Sequence, residues 1–206
     1  FRYYRIDSRI YPLEGNAFKV KLQRIGLGFI PDYPYGNWEA EAGWFVHKKL
    51  MNRIYLSDVA KAKFSTRKDA PLFIQKALGY TEYMTAYDAF VIDGSDYFIN
   101  KVILKFQLVK PTAFTVPYIK AKQFSKVHYS IYLNLLGDVG YVNNRYPLLD
   151  VQNNPVNDMQ NELLYSFGIG LDYVTYYDKT LGIEYAINKS GIHGFFFHVR
   201  TPFQEW

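Results

Sequence analysis

The sequence contains no cysteine, which excludes a disulfide framework, thiolate chemistry and any zinc site built on sulfur. It has no run approaching the roughly 18 consecutive apolar residues of a transmembrane helix, so any crossing of a bilayer has to be made by strands of a closed sheet. Charge is sparse, at 21% of residues. The Lys and Arg behind the net charge of +5 and the pI near 9.1 are scattered rather than clustered on a helix-like period, so nucleic acid is not an expected partner. Also missing are G-x-S-x-G, H-E-x-x-H, a P-loop and a dinucleotide fingerprint. No carboxylate pair has a spacing that argues for acid–base work. The four histidines, His47, His128, His193 and His198, are dispersed. His128 shares a face with Ser130, and Glu82, Asp88, Asp93 and Asp96 are loosely grouped, but these read as solvated wall and loop residues. No enzymatic activity, cofactor or metal is expected. The opening Phe1-Arg2-Tyr3-Tyr4 has no initiator Met, basic n-region or apolar h-region; it reads as the inside of a strand, and the expectation is a fragment or an incomplete chain.

What the chain has in quantity is aromatic residues and alternation. Of its 206 residues 49% are hydrophobic and 19% aromatic, with 20 Tyr and 16 Phe, the composition of an ordered chain. From Leu163, the residues Leu163, Tyr165, Phe167, Ile169, Leu171 and Tyr173 alternate with Ser166, Gly168, Gly170 and Asp172. After Tyr176-Tyr177-Asp178-Lys179, Leu181, Ile183, Tyr185 and Ile187 alternate with Thr180, Gly182, Glu184 and Asn188. A third segment sets Phe195, Phe197 and Val199 against Phe196, His198 and Arg200. Period two puts apolar and polar side chains on opposite faces of a strand. Spans of about ten residues match the roughly 9–11 needed to cross a bilayer at a tilt, and Tyr-rich apolar faces suit the aromatic girdles of a transmembrane barrel. A mean hydropathy near zero is compatible, because lumenal polar residues offset the lipid-facing ones.

The same pattern recurs earlier. Arg2 to Tyr11 alternates up to a turn at Pro12-Leu13-Glu14-Gly15-Asn16, and Phe18, Val20 and Leu22 oppose Lys19, Lys21 and Gln23. A loop at Pro31-Asp32-Tyr33-Pro34-Tyr35-Gly36 leads to Trp38, Ala40, Ala42, Trp44 and Val46, which face away from Asn37, Glu39, Glu41 and His47. Met51 to Phe64 is read as the next strand. The stretch 67–94 breaks the pattern and is read as a long functional loop. Tyr97 to Val109 alternates until Pro111 and Pro117 end it. Val127 to Tyr141 places Asp138 on the polar face, and Pro147 to Asn161 is a polar loop. The expected fold is an all-β antiparallel transmembrane barrel, about ten strands in one domain over 1–206.

The order of these features resembles the C-terminal part of the BamA-like outer-membrane assembly barrels, the bacterial surface-antigen superfamily. Asp7-Ser8-Arg9-Ile10-Tyr11-Pro12-Leu13-Glu14-Gly15 is similar to that family's hairpin motif. Leu78 to Phe98 resembles its lumenal loop, and Asp138-Val139-Gly140 its Asp-x-Gly on an inner-wall strand. Gly194-Phe195-Phe196-Phe197-His198-Val199, with the final Trp206, resembles the terminal assembly signal, although Ile192 stands where a polar residue is usual. The resemblance implies a sixteen-stranded barrel of the bacterial outer membrane, of which this chain holds the later strands. It also implies a loop tip at Thr85, Ala86 and Tyr87 that braces against Asp138 and Gly140. The partners implied are outer-membrane lipid, client β-barrel or surface proteins and accessory lipoproteins.

One departure bears on activity. The family's tip is Arg-Gly-aromatic, and only the aromatic is present in Thr85-Ala86-Tyr87; Leu78-Gly79-Tyr80 has the Gly-aromatic pair without the arginine. Asp138 therefore lacks that partner, and Lys101 and Lys105 are the alternative cations. The expected function is insertion or translocation of outer-membrane or surface proteins. Two others are a passive pore or structural barrel, and a soluble Tyr-rich β-sandwich that binds a ligand such as carbohydrate.

Overall fold

The computed structural model describes residues 1–26, 36–67, 69, 74–115, 126–153, 155–175 and 179–200. It contains eleven strands: β1 (Arg2–Ile6), β2 (Gly15–Ile25), β3 (Asn37–Met51), β4 (Ile54–Ser65), β5 (Lys76–Leu78), β6 (Ile92–Asp93), β7 (Asp96–Thr115), β8 (Lys126–Asn143), β9 (Leu163–Thr175), β10 (Lys179–Asn188) and β11 (His193–Arg200). There is no helix among the described residues, and so none long and apolar enough to cross a membrane.

Nine strands form one antiparallel sheet in the order β1-β2-β3-β4-β7-β8-β9-β10-β11. Every neighbour in it is also the next main strand along the chain, because each connection reverses direction and returns beside the strand it left. β5 and β6 form a separate two-stranded piece inserted between β4 and β7. The order does not close on itself: among the described residues, β1 and β11 are the two edges. Nor do the described residues form two main sheets packed as a sandwich.

Alternation sorts the side chains by face, and the outcome inverts that of a water-soluble protein. Phe18, Trp44, Phe98, Leu135, Phe167, Ile183 and Phe197 all point to one face and lie exposed, Trp44 at 60% and Phe197 at 73%. Ser57, Lys105, Asn134, Asp138, Ser166, Asp172, Thr180 and Glu184 point to the other face and are buried. The polar face is buried because the sheet curls around it and because two connections fold over it. Strands lie about 4.8 Å apart, yet the Tyr11 hydroxyl, just beyond β1, donates to Asn134 Oδ1 on β8 at 3.4 Å. A flat sheet of this order does not allow that contact.

Several boundaries differ from the alternation. β1 stops at Ile6, because Asp7 turns the chain: its Oδ1 accepts from the backbone N–H groups of Ser8, Leu13 and Glu14 at 2.9–3.2 Å. The periodicity of Ile10 therefore belongs to a turn. The strand expected over Met51–Phe64 is β4, which begins three residues later, because Met51 ends β3 and Asn52 and Arg53 reverse the chain. Pro111 does not end β7. The ladder with β8 shifts register between Gln107 and Val109 and again between Val109 and Thr112, and an irregularity of this kind accommodates a residue without an N–H. The region expected as an irregular loop contains β5 and β6. The expected loop at 31–35, the turn at 176–178, Pro117 and Trp206 lie outside the described residues.

Candidate functional site: an inserted segment on the polar face

The insertion between β4 and β7 supplies five of the nine buried residues of the larger apolar cluster. Ala77, Leu78, Met84, Tyr87 and Ile92 from the insertion pack with Tyr97, Ile99, Val142 and Leu164 from β7, β8 and β9. Burying this cluster, at roughly 25 cal/mol per Å² of apolar surface, fixes the segment to a sheet face that is otherwise polar. Local turns shape it. Gly79 sits at φ +87° with its N–H on the carbonyl of Glu82 at 2.8 Å; a Cβ there would lie 2.1 Å from the Phe90 carbonyl oxygen, so only glycine fits. Tyr87 and Phe90 donate to the carbonyls of Met84 and Tyr87, each at 3.0 Å.

The tip, Thr85-Ala86-Tyr87, meets the wall at three points. The Thr85 backbone N–H donates to Asp138 Oδ2 at 2.7 Å, the Asn188 side-chain amide donates to the Ala86 carbonyl at 3.1 Å, and the Tyr87 hydroxyl donates to the Tyr165 carbonyl at 3.3 Å. Tip residues thus touch β8, β9 and β10. Beside the first contact Met84 lies directly over Gly140: a Cβ there would come within 2.3 Å of Met84 Sδ. The structure therefore brings together Thr85, Ala86, Tyr87, Asp138 and Gly140. The carboxylate is thus met by a main-chain N–H rather than by an arginine side chain. Lys101 Nζ stands 3.8 Å from Asp138 Oδ2, whereas Lys105 is engaged elsewhere, donating to the Pro12 carbonyl at 3.0 Å. Asp138 is 1% exposed, and its Oδ1 has no hydrogen-bond partner among the described residues.

The second cover is the turn between β1 and β2. Ser8 Oγ accepts from the N–H groups of Ile10 and Tyr11, each at 3.3 Å. Tyr11 packs against Tyr132 with ring centroids 4.8 Å apart, and Lys105 Nζ lies 4.1 Å from the Tyr11 centroid, a cation–π contact. Between the two covers is a cavity of about 330 Å³ whose lining includes His47, Lys101, Lys105, Asp138, Glu184 and His198.

The loop acids do not converge. Glu82 pairs with Lys61 at 2.6 Å, Tyr80 donates to Asp93, and Asp96 accepts from the Ser65 N–H at 2.8 Å. No group of three potential metal ligands occurs among the described residues. The hydrogen bond to Asp93 pushes the Tyr80 hydroxyl up to about 12. Burial raises Asp88 above the usual carboxylate range; His198 and Lys101 oppose the rise and Glu184 adds to it. Burial also raises Tyr87.

Gly194, Phe197 and Val199 belong to β11 and take no part in the tip's three contacts with the wall. Phe197 and Val199 project from the apolar face, while His198 on the polar face stands 3.3 Å from Glu184 Oε2. Sequence reasoning missed one pair: His47 Nδ1 and Ser57 Oγ are hydrogen-bonded at 2.9 Å, both buried. They are ten residues apart, but the tight β3–β4 turn sets them directly opposite each other. That turn is the signal that would have found them.

Comparison with known proteins gives no match to any family model, to any curated protein or to any solved structure.

Proposed function

We propose that this chain is the later part of an outer-membrane β-barrel of the BamA-like superfamily, and that it assists insertion or translocation of outer-membrane or surface proteins. The observation that carries the membrane reading is the inversion of the two faces: exposed aromatics and aliphatics on one, buried carboxylates, amides and lysines on the other. In water such a surface would drive aggregation; in hydrocarbon it is the stable arrangement, with the polar face lining a lumen. The connections support one orientation of such a barrel. At one end are the Asn52-Arg53 turn and the clasped 7–14 turn, and at the other are 66–95 and 144–162. Short turns face the periplasm and long loops the exterior in such barrels, so the insertion enters the lumen from outside.

The assembly reading is supported by the docked tip on Asp138 and by the outer edge of β11, which pairs with no described strand. In this mechanism the backbone groups of Gly194 to Val199 receive an incoming client strand. Affinity then comes from main-chain hydrogen bonds, while the docked insertion keeps the lumen wall from collapsing. The test is depletion of the full-length protein in its native cells, followed by quantification of outer-membrane proteins. Loss of several β-barrel proteins from the outer membrane supports assembly. An unchanged profile, together with single-channel conductance of the purified protein, supports the passive-barrel reading. That second reading is favoured by one observation, the replacement of a charged side chain by the Thr85 N–H at Asp138.

A further inference from the structure

Midway along β4 and within β7 the apolar face carries a polar pair. Asp58 on β4 and Asn100 on β7 both point to this face, between residues that are otherwise aliphatic, alanine or aromatic. Ile54, Leu56, Ala60, Ala62 and Phe64 share the face with Asp58 along β4. Asn100 Nδ2 donates to Asp58 Oδ1 at 2.6 Å. This bond uses one carboxylate oxygen and one amide N–H. The carboxylate keeps Oδ2 as an acceptor and the amide keeps a second N–H, and the described residues supply a partner to neither. The inference rests on the membrane reading above, under which both groups face hydrocarbon, where an ionisable side chain is costly and marks a contact.

We infer that this patch is an interface between two copies of the protein within the bilayer, closed by a quartet of two Asp58 and two Asn100 side chains. The argument is self-complementarity. A two-fold axis along the membrane normal, running between β4 and β7, exchanges left and right and keeps depth. It places β4 of each copy against β7 of the other, so that Asn100 Nδ2 of each donates to Asp58 Oδ2 of the other. A closed two-fold contact requires donor and acceptor on one patch, and here they lie 2.6 Å apart. The neighbouring surface permits close approach. Ala42 and Ala62 are directly opposite each other across β3 and β4, and Ala60 is directly opposite Asn100. Small residues let backbones come near enough in lipid for side-chain amides to reach across.

The test uses the absence of cysteine from these 206 residues, with any cysteine elsewhere in the full-length protein changed to serine. Full-length protein carrying Ala60→Cys is kept in its native membrane and oxidised, with Ile183→Cys on the same face of β10 as the comparison. The interface predicts a disulfide-linked product at twice the protein's mass for Ala60→Cys, at least tenfold more than for Ile183→Cys. Adding Asp58→Leu with Asn100→Leu is expected to reduce that product at least tenfold while the protein stays in the membrane. Equal cross-linking at both positions, indifference to the double leucine change, or a product of another mass, which would indicate a different partner, each overturns the inference. Release of the protein by alkaline carbonate overturns the membrane reading itself. Retention without a cross-link overturns only the dimer.

Discussion

At Asp138 a buried carboxylate takes a main-chain N–H and has a lysine nearly 4 Å away. A hydrogen bond to an ionised acceptor is worth about 1.5–3 kcal/mol, so Asp138→Ala should detach the tip. The expected readout is proteolytic cleavage within 79–91 at least tenfold faster than in the parent. Asp138→Asn keeps an oxygen for the Thr85 N–H and should give a smaller increase; equal cleavage of the two variants would show that the N–H contact is not what holds the tip. Gly140→Ala attacks the same contact sterically. Its Cβ meets Met84 Sδ, and overpacking of this kind costs about 1–3 kcal/mol, measurable as a lower temperature for loss of heat-modifiable migration. Ala86 sits at φ +62°, in the left-handed region that disfavours a Cβ. Ala86→Gly is therefore expected to be tolerated, with cleavage of the tip no faster than in the parent.

On the scale of elements, the inserted segment should respond to pH through Asp88. Its carboxyl is raised by burial, with His198, Lys101 and Glu184 as the charged neighbours. A carboxyl raised on docking binds its proton more tightly when docked. Docking is therefore strongest below the ordinary carboxylate range and weakens as pH rises through the raised value. Protection of 79–91 from protease should fall with rising pH in the parent, and Asp88→Asn should flatten the profile. The strands themselves were largely legible. Period two identified the faces of β2, β3 and β7 to β11, because one side chain in two meets the same surroundings. The breaks were less so. Ile10 kept the period by chance inside a turn made by the Asp7 carboxylate, and Pro111 was read as a stop because nothing local announces a register shift. The pairing of His47 with Ser57, and of Asp58 with Asn100, depends on which strands become neighbours and in what register, information that alternation along a single strand does not hold.

For the whole molecule, the inverted faces make a prediction opposite to that for a soluble protein. Ile169 lies at the centre of β9 on the apolar face, directly opposite Leu135 and Tyr185. Arginine on the lipid face at mid-depth costs about 2–4 kcal/mol, and urea unfolding of vesicle-reconstituted protein should show a loss of that size for Ile169→Arg. In a soluble sheet the same exposed change would be within about 0.5 kcal/mol of neutral, so a near-zero result would count against lipid as the surrounding medium.

The clasp between the 7–14 turn and the far wall also sets an order of events. Tyr11 bonds to a residue 123 positions later, and the Pro12 carbonyl receives Lys105 from 93 positions later. Closing so long a stretch of chain has an entropic cost that precedes any reward from the contacts. Of the described hairpins, the earliest in the sequence is therefore among the last to be locked. Until β7 and β8 arrive, Asp7 to Glu14 form only a local turn, so the clasp reports that the intervening strands are already in register.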